Sequence, residues 1–208
     1  MLALATACKV HAQSSPQALA GPADDAAPAD CLPDKSGYLR ARLKGSISSE
    51  LDWGNAGTQC TGAVRPTDGG VRMRFTRSLE KPGERLVLVF GIAGLREGQP
   101  ARALPVNVTV FREGSGDFFG TQGDNKCMLD EVTQTPLAGI PTRTRAYRVV
   151  ARGFCTEPAR AVRGAGVVLI SRFDYAGRVD YETENAGGEP PKPQATAAPN
   201  PSQPIASR

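Results

Sequence analysis

The segment Tyr38-Leu39-Arg40-Ala41-Arg42-Leu43-Lys44 decides the fold class, because apolar and basic residues alternate along its whole length. Successive side chains of a β-strand point to opposite faces, so a period of two predicts a strand with one buried and one solvated face. The alternation continues to Trp53, with Ile47 and Leu51 on the apolar side, and Gly45 is expected to bend this long segment.

Similar segments follow along the chain. Val71–Phe75, Val106–Val110 and Tyr147–Ala151 alternate in the same way, whereas Leu86–Phe90 and Val167–Ile170 are apolar throughout and suit strands covered on both faces. Turn signals rich in Gly, Pro and Asp separate these runs, and no helical stripe is present. About eight strands at this spacing predict a mainly β fold, most simply an antiparallel β-sandwich, with a closed β-barrel as the alternative.

The composition divides the 208 residues into four parts. Residues 9–36 are rich in Ala, Pro, Ser, Gln and Asp and are expected to form a flexible tether, because they carry few large apolar side chains. Residues 186–208 are expected to form a Pro-rich disordered tail. Residues 37–185 have the length of one domain and are predicted to form the β-domain.

The first eight residues, Met1-Leu2-Ala3-Leu4-Ala5-Thr6-Ala7-Cys8, form a short apolar run that ends in small residues and a cysteine. The end of this run resembles the lipobox of bacterial lipoproteins, although Ala5 stands where leucine is commonest and no basic residue precedes it. The resemblance covers Leu4-Ala5-Thr6-Ala7-Cys8 only. It implies a truncated signal peptide, acylation of Cys8 and a place in the periplasm or on the outer membrane. An ordinary secretory signal, and hence a secreted protein, is the alternative.

Four cysteines remain after Cys8, and an even number predicts two disulfides in an oxidising compartment. Of the three possible pairings we favour Cys127 with Cys155 and Cys31 with Cys60, because each would connect neighbouring segments. A zinc site lacks both CxxC spacing and a usable histidine. We therefore expect neither a metal nor another cofactor.

The single histidine, His11, lies in the leader region outside anything that resembles a folded segment. A Ser/His/Asp or Cys/His catalytic arrangement therefore cannot be built in the domain, and we expect no enzyme activity. A hydrolase that uses only carboxylates stays open, because Glu50 and Asp52 lie two residues apart on one predicted strand face. The acidic residues Asp117, Asp124, Asp130 and Glu131 match no EF-hand spacing.

Arginine supplies most of the positive charge, and the formal net charge is +4. If the strands that carry them are neighbours, six outward arginines would cover one sheet face and form an anion-facing partner site. These candidates are Arg40, Arg42, Arg72, Arg74, Arg148 and Arg152. A solvated face of ordinary ion pairs is the simpler interpretation, and the modest charge disfavours nucleic acid.

The sequence thus predicts an exported envelope protein that acts as a non-enzymatic binding module. Its partner would be a protein or an anionic envelope component, and a lipid anchor would add membrane attachment. Contact is expected through the arginines or through the turns between Asp117 and Asp130. A small lipid or sugar carrier is the alternative, in which Trp53, Phe75 and Phe90 would line a cavity.

Overall fold

A computed structural model describes residues 30–66, 69–123, 125–138 and 144–182 of the protein, and it contains eleven β-strands within these ranges. The lipobox, Cys8, His11 and the predicted tail lie outside the described residues. The strands are β1 (Tyr38–Gly45), β2 (Ser49–Trp53), β3 (Thr58–Val64), β4 (Val71–Ser78), β5 (Arg85–Ile92), β6 (Ala101–Glu113), β7 (Asp117–Gly120), β8 (Cys127–Pro136), β9 (Thr144–Cys155), β10 (Ala159–Ala161) and β11 (Val167–Glu182).

All eleven strands belong to one hydrogen-bonded sheet, which confirms the predicted mainly β, antiparallel fold. Its main path runs β10-β7-β6-β5-β4-β3-β11-β1-β2, and β8 and β9 connect β6 to β11. The β3–β11 contact is parallel and joins Ala63 to Asp180, while every other pair is antiparallel. Following the pairs from β11 through β9, β8, β6, β5, β4 and β3 returns to β11, so the sheet folds over on itself around one core.

The predicted alternation sets which residues enter the core. Leu39, Ala41 and Leu43 of β1 are buried, and so are Val71, Met73 and Phe75 of β4, while the arginines between them face outward. Leu86–Phe90 is buried at every position, as expected for a strand covered on both faces. In the run Val167–Ile170, by contrast, Val167 is exposed, so this run is covered fully on one face only.

Aromatic rings from strands that do not pair with one another meet at the centre. Phe90 of β5 contacts Tyr175 and Phe173 of β11 at ring-centroid distances of 4.7 and 4.9 Å, and Phe75 of β4 lies 5.2 Å from Tyr175. Opposite parts of the folded sheet therefore pack face to face, as the layers of a sandwich do. Replacing one of these rings by alanine would cost about 3 to 5 kcal/mol.

The folded unit begins before Gly37, inside the stretch that the sequence predicts as a tether. Cys31 and Leu32 are buried, and the side-chain oxygen of Asn55 accepts hydrogen bonds from the backbone amides of Leu32 (2.8 Å) and Gly37 (3.0 Å). A side chain on Gly37 would collide with that oxygen and with Cys31. Buried Leu32 and the buried side-chain amide of Asn55 thus hold this segment in place. The composition of residues 9–36 does not reveal this, because one buried apolar residue changes the average composition very little.

Both disulfides have the pairing predicted from the sequence. Cys31 is bonded to Cys60 of β3, and Cys127 of β8 is bonded to Cys155, its direct partner in the register with β9. The first bond fastens the N-terminal segment to the sheet, and the second closes the end of the β8–β9 ladder. Such bonds are compatible with an oxidising, exported location. Among the described residues there is no helix with the length and apolarity needed to cross a membrane.

Asn55 should be important for stability. Asn55→Ala leaves two buried amides without an acceptor, so we expect the free energy of unfolding to fall by about 2 to 4 kcal/mol. Urea unfolding of the disulfide-intact protein measures this loss, with the exposed Gln59→Ala as the control. Equal urea midpoints for Asn55→Ala and Gln59→Ala would contradict the stabilising role of Asn55.

All four tyrosines should resist ionisation in the folded protein. Burial raises the pKa of Tyr147 and Tyr175, and it raises the pKa of Tyr38 and of Tyr181 to about 12. The unfolded chain ionises first, near pH 10, so stability should be full below pH 10 and decline as the pH rises toward 12. Phenolate absorbance should therefore stay low at pH 10 in the native protein and be substantial in urea, whereas equal titration curves would contradict the burial.

Candidate interaction surface

The six arginines predicted as one binding face occupy two separate parts of the sheet. The pairs on β1 and β9 share an outer face, because both strands flank β11, whereas β4 pairs with β3 and β5 instead. The structure therefore divides the predicted set into Arg40, Arg42, Arg148 and Arg152 on one face and Arg72 and Arg74 on another.

Carboxylates alternate with arginines on the first face. One row crosses β2, β1, β11, β9, β8 and β6 in turn and reads Asp52, Arg40, Asp174, Arg152, Glu131, Arg102. Arg40 donates to Asp52 (3.1 Å), and Glu131 accepts from both Arg102 (2.9 Å) and Arg152 (3.0 Å). In the next row Glu50 accepts from Arg42 (2.7 Å) and lies 3.8 Å from Arg172.

We call this region the charge-balanced face, because carboxylates alternate with arginines across it, and its two rows hold four carboxylates and five arginines. Exposed pairs of this kind contribute little to stability, about 0 to 1 kcal/mol each. They do cancel the field that would attract an anion, so the predicted anion-facing role is not favoured here. Arg148, the fourth of the predicted arginines on this face, donates to the Ser36 hydroxyl at 2.9 Å. The face is defined by Arg40, Arg42, Arg152, Arg172, Glu50, Asp52, Glu131 and Asp174.

Glu50 and Asp52 do lie on one strand face, as predicted, but each is engaged by an arginine. The hydrogen bond from Arg42 lowers the pKa of Glu50, and both carboxylates are largely exposed. A general acid needs a shielded carboxyl group with a raised pKa. This geometry favours ion pairing over acid/base work.

The three aromatic residues of the carrier hypothesis belong to the core. Trp53, Phe75 and Phe90 are buried, and the rings of Phe75 and Phe90 contact each other at 6.1 Å in an edge-to-face arrangement. Both rings also pack against Tyr175. They therefore fill the interior instead of lining an accessible cavity.

The acidic residues between Asp117 and Glu131 are dispersed. Asp117 accepts a hydrogen bond from the Ser115 hydroxyl and lies 3.6 Å from Arg112. Glu131 is paired with Arg102 and Arg152, and Asp124 lies outside the described residues. Within the described part of the chain no group of three His, Cys, Asp or Glu side chains is placed to hold a metal ion.

The second arginine site combines positive charge with exposed apolar side chains. We call it the Arg–Phe surface. It consists of Arg72 and Arg74 of β4, Phe111 of β6, Phe118 of β7, Arg160 of β10, Val162, which follows β10, and Val167 of β11. The guanidinium group of Arg74 lies 5.8 Å above the centre of the Phe111 ring. Phe111 in turn stacks on Phe118, with centroids 5.3 Å apart and an interplanar angle of 21°.

Several apolar side chains of this surface are exposed. Phe118 is 43% exposed and Val162 is 60% exposed, and the two are neighbours, because the Val162 amide donates to the Phe118 carbonyl at 2.9 Å. Val167, also exposed, continues the apolar area beyond Arg160. An exposed apolar patch with a polar rim is typical of a protein interaction site.

Positive charge dominates the surface. Arg74 donates to Glu113 at 2.6 Å, and Arg85 shares the same carboxylate at 2.6 Å. Arg72 and Arg160 are exposed, and their side chains form no hydrogen bond or ion pair with any residue that the structure describes. Unlike the charge-balanced face, this region therefore presents guanidinium groups that are free to bind a partner.

Sequence reasoning missed the aromatic half of this surface, although one signal was present. Phe118 and Phe119 are consecutive in a four-residue strand, so their rings must point to opposite faces. Phe119 is buried, which leaves Phe118 outside. The proximity of Phe118 and Val162 could not be predicted from the sequence, because it depends on the pairing of β10 with β7, which are far apart along the chain.

Comparison with known proteins identifies no relatives of this chain. No family model matches the sequence, no curated protein matches it, and no solved structure matches its fold. The surface must therefore be interpreted from its own side chains.

Phe118 should contribute little to folding if its role is recognition. Phe118→Ser removes an exposed ring and one stacking contact, so we expect a loss of about 1 kcal/mol or less. Phe90→Ala, in the core, should cost about 3 to 5 kcal/mol by comparison. Urea unfolding of both variants makes the test, and equal losses would show that Phe118 is a structural residue.

Proposed function

We propose that this protein is an exported, non-enzymatic binding module that contacts its partner through the Arg–Phe surface. One observation carries the proposal: the exposed Phe118 ring, stacked on Phe111, lies next to arginines that outnumber the acidic groups around them. Aromatic residues and arginine are enriched in the centres of protein interfaces, where they supply large contact area and directed hydrogen bonds.

The charge of the surface indicates the chemistry of the partner. A second copy of the chain would bring Arg72 and Arg160 close to their own equivalents, which like-charge repulsion opposes. An acidic protein would instead pair its carboxylates with these guanidinium groups and cover Phe118 and Val162 with apolar side chains. We therefore propose an acidic protein as the partner, and an anionic lipid surface is the competing outcome of the test below.

The proposed location is the bacterial cell envelope. The two disulfides are compatible with an exported protein, and the lipobox-like sequence before Cys8 supports a lipid anchor on the periplasmic side of a membrane. Acylated Cys8 followed by a polar segment would attach the domain to the membrane and leave its surfaces accessible. Release into the medium after cleavage is the alternative.

Site-specific photo-crosslinking tests the proposed contact. A photoreactive phenylalanine analogue replaces Phe118 in the full chain expressed in its native cell, and the adduct is identified by mass spectrometry. We expect one acidic envelope protein as the product. The adduct should decrease at least about tenfold when Arg72→Glu and Arg74→Glu are added, because charge complementarity is reversed.

The matched control carries Lys44→Glu and Arg96→Glu, which change the charge equally at two exposed residues outside the surface. This control should retain the adduct. Equal loss in both variants, or an adduct with lipid alone, would reject the proposed partner. Export is tested separately by thiol labelling of the recovered protein, and free thiols at Cys31, Cys60, Cys127 and Cys155 would reject it.

A further inference from the structure

Two adjoining troughs lie on the charge-balanced face, away from the Arg–Phe surface. The first has a volume of about 450 Å³ and is lined by side chains of β2, β1 and β11, among them Arg40, Asp52 and Arg172. The second, of about 350 Å³, is lined by Tyr38 of β1, by Arg152 of β9 and by other residues of β8 and β9. Asp174 of β11 lines both troughs, so they adjoin at this residue, and we refer to the two together as the depression.

The walls of this depression alternate between hydrogen-bond donors and acceptors. Guanidinium groups only donate and carboxylates only accept, and neighbouring strands place them at intervals of roughly 4.8 Å. The ion pair between Arg40 and Asp52 and the hydrogen bond from the Tyr38 hydroxyl to Asp174 (2.8 Å) hold several of these groups in place. The lining holds three arginines and four carboxylates, so a ligand of either charge would meet like charges as well as opposite ones. A hydroxyl group can both donate and accept, so it can be satisfied anywhere along the row.

An exposed aromatic ring lies beside the depression. Asp174 of β11 is paired with Arg152 of β9, and Phe154 follows Arg152 by two residues, so it projects from the same outer face. Phe154 is 38% exposed, and its direct cross-strand partner Met128 is 37% exposed. A flat apolar ring next to fixed polar groups suits a ligand that has apolar C–H faces and hydroxyl edges.

We propose that the charge-balanced face binds a neutral saccharide chain, with one sugar ring on Phe154 and the hydroxyl groups of its neighbours bonded to Arg172, Asp174 and Asp52. The site is separate from the Arg–Phe surface and does not depend on the partner proposed there. It adds a carbohydrate-binding activity to a module that otherwise contacts protein.

Isothermal titration calorimetry with the disulfide-intact full chain tests this site. The probes are cellohexaose and chitohexaose as neutral chains and a galacturonic acid hexamer as the anionic chain. We expect saturable binding of at least one neutral chain that changes little with salt, because no net charge is neutralised. Phe154→Ala and Asp174→Asn should each weaken that binding by about tenfold. Asp174→Asn keeps the shape of the side chain and one acceptor oxygen, so the fold should be retained.

Two matched substitutions serve as controls. Phe118→Ala removes an equally exposed ring from the Arg–Phe surface, and Asp180→Asn makes the same chemical change at an aspartate paired with Arg178 outside the troughs. Both should bind the neutral chain as the wild type does. Absence of binding to both neutral chains, preference for the anionic chain, or equal losses in the controls would each overturn the proposal. The Arg72→Glu, Arg74→Glu variant should bind saccharide normally, so failure of one proposal is distinguishable from failure of the other.

Discussion

The pairing of β11 with four other strands is the constraint on which the rest of the structure depends. Val167–Glu182 hydrogen-bonds to β1 and β3 along one edge and to β10 and β9 along the other. Because its side chains alternate, this one strand contributes Phe173 and Tyr175 to the core and Arg172 and Asp174 to the outer face. A slip by one residue would exchange the two sets, burying the charges and exposing the rings.

That register explains why the two outer faces differ chemically. Around β11 the neighbouring strands place Asp52, Arg152 and Glu131 in line with Asp174 and Arg40, so each guanidinium group has a carboxylate beside it. Around β4 and β6 the outward residues are arginine, threonine, valine and phenylalanine, with Glu113 shared between two arginines. On one face the charges are therefore mostly paired, whereas the other carries unpaired guanidinium groups beside exposed apolar side chains.

The two proposed surfaces suit different partners because they differ in how far their arginines are paired with carboxylates. Excess guanidinium charge and an exposed stacked ring favour an acidic protein that can cover both. Alternating donors and acceptors whose charges are largely paired favour a ligand rich in hydroxyl groups. Both surfaces are built on paired strands, and the two disulfides fasten the N-terminal segment and the β8–β9 ladder to the same sheet. Recognition groups held by strands lose little conformational entropy when a ligand binds.

The sequence by itself determined the local features of the fold. The period of two in Tyr38–Gly45 and Val71–Ser78 identified which side of each strand is buried, and the even cysteine count together with proximity along the chain indicated the disulfide pairing. Strand parity depends on neighbours in the chain, so residue order is sufficient for it, whereas the favoured disulfide pairing was one of three possibilities that the folded structure decides between.

Only the tertiary structure decided which strands are neighbours. It separated Arg72 and Arg74 from the other four predicted arginines and placed Val162 beside Phe118. It also brought the Leu32 amide within hydrogen-bonding distance of the Asn55 side chain. Each of these juxtapositions joins segments far apart in sequence, and a pattern within one strand carries no information about the strand beside it. The charge and apolarity of a sheet face depend on that pairing, which is why the two proposed surfaces emerged only from the folded chain.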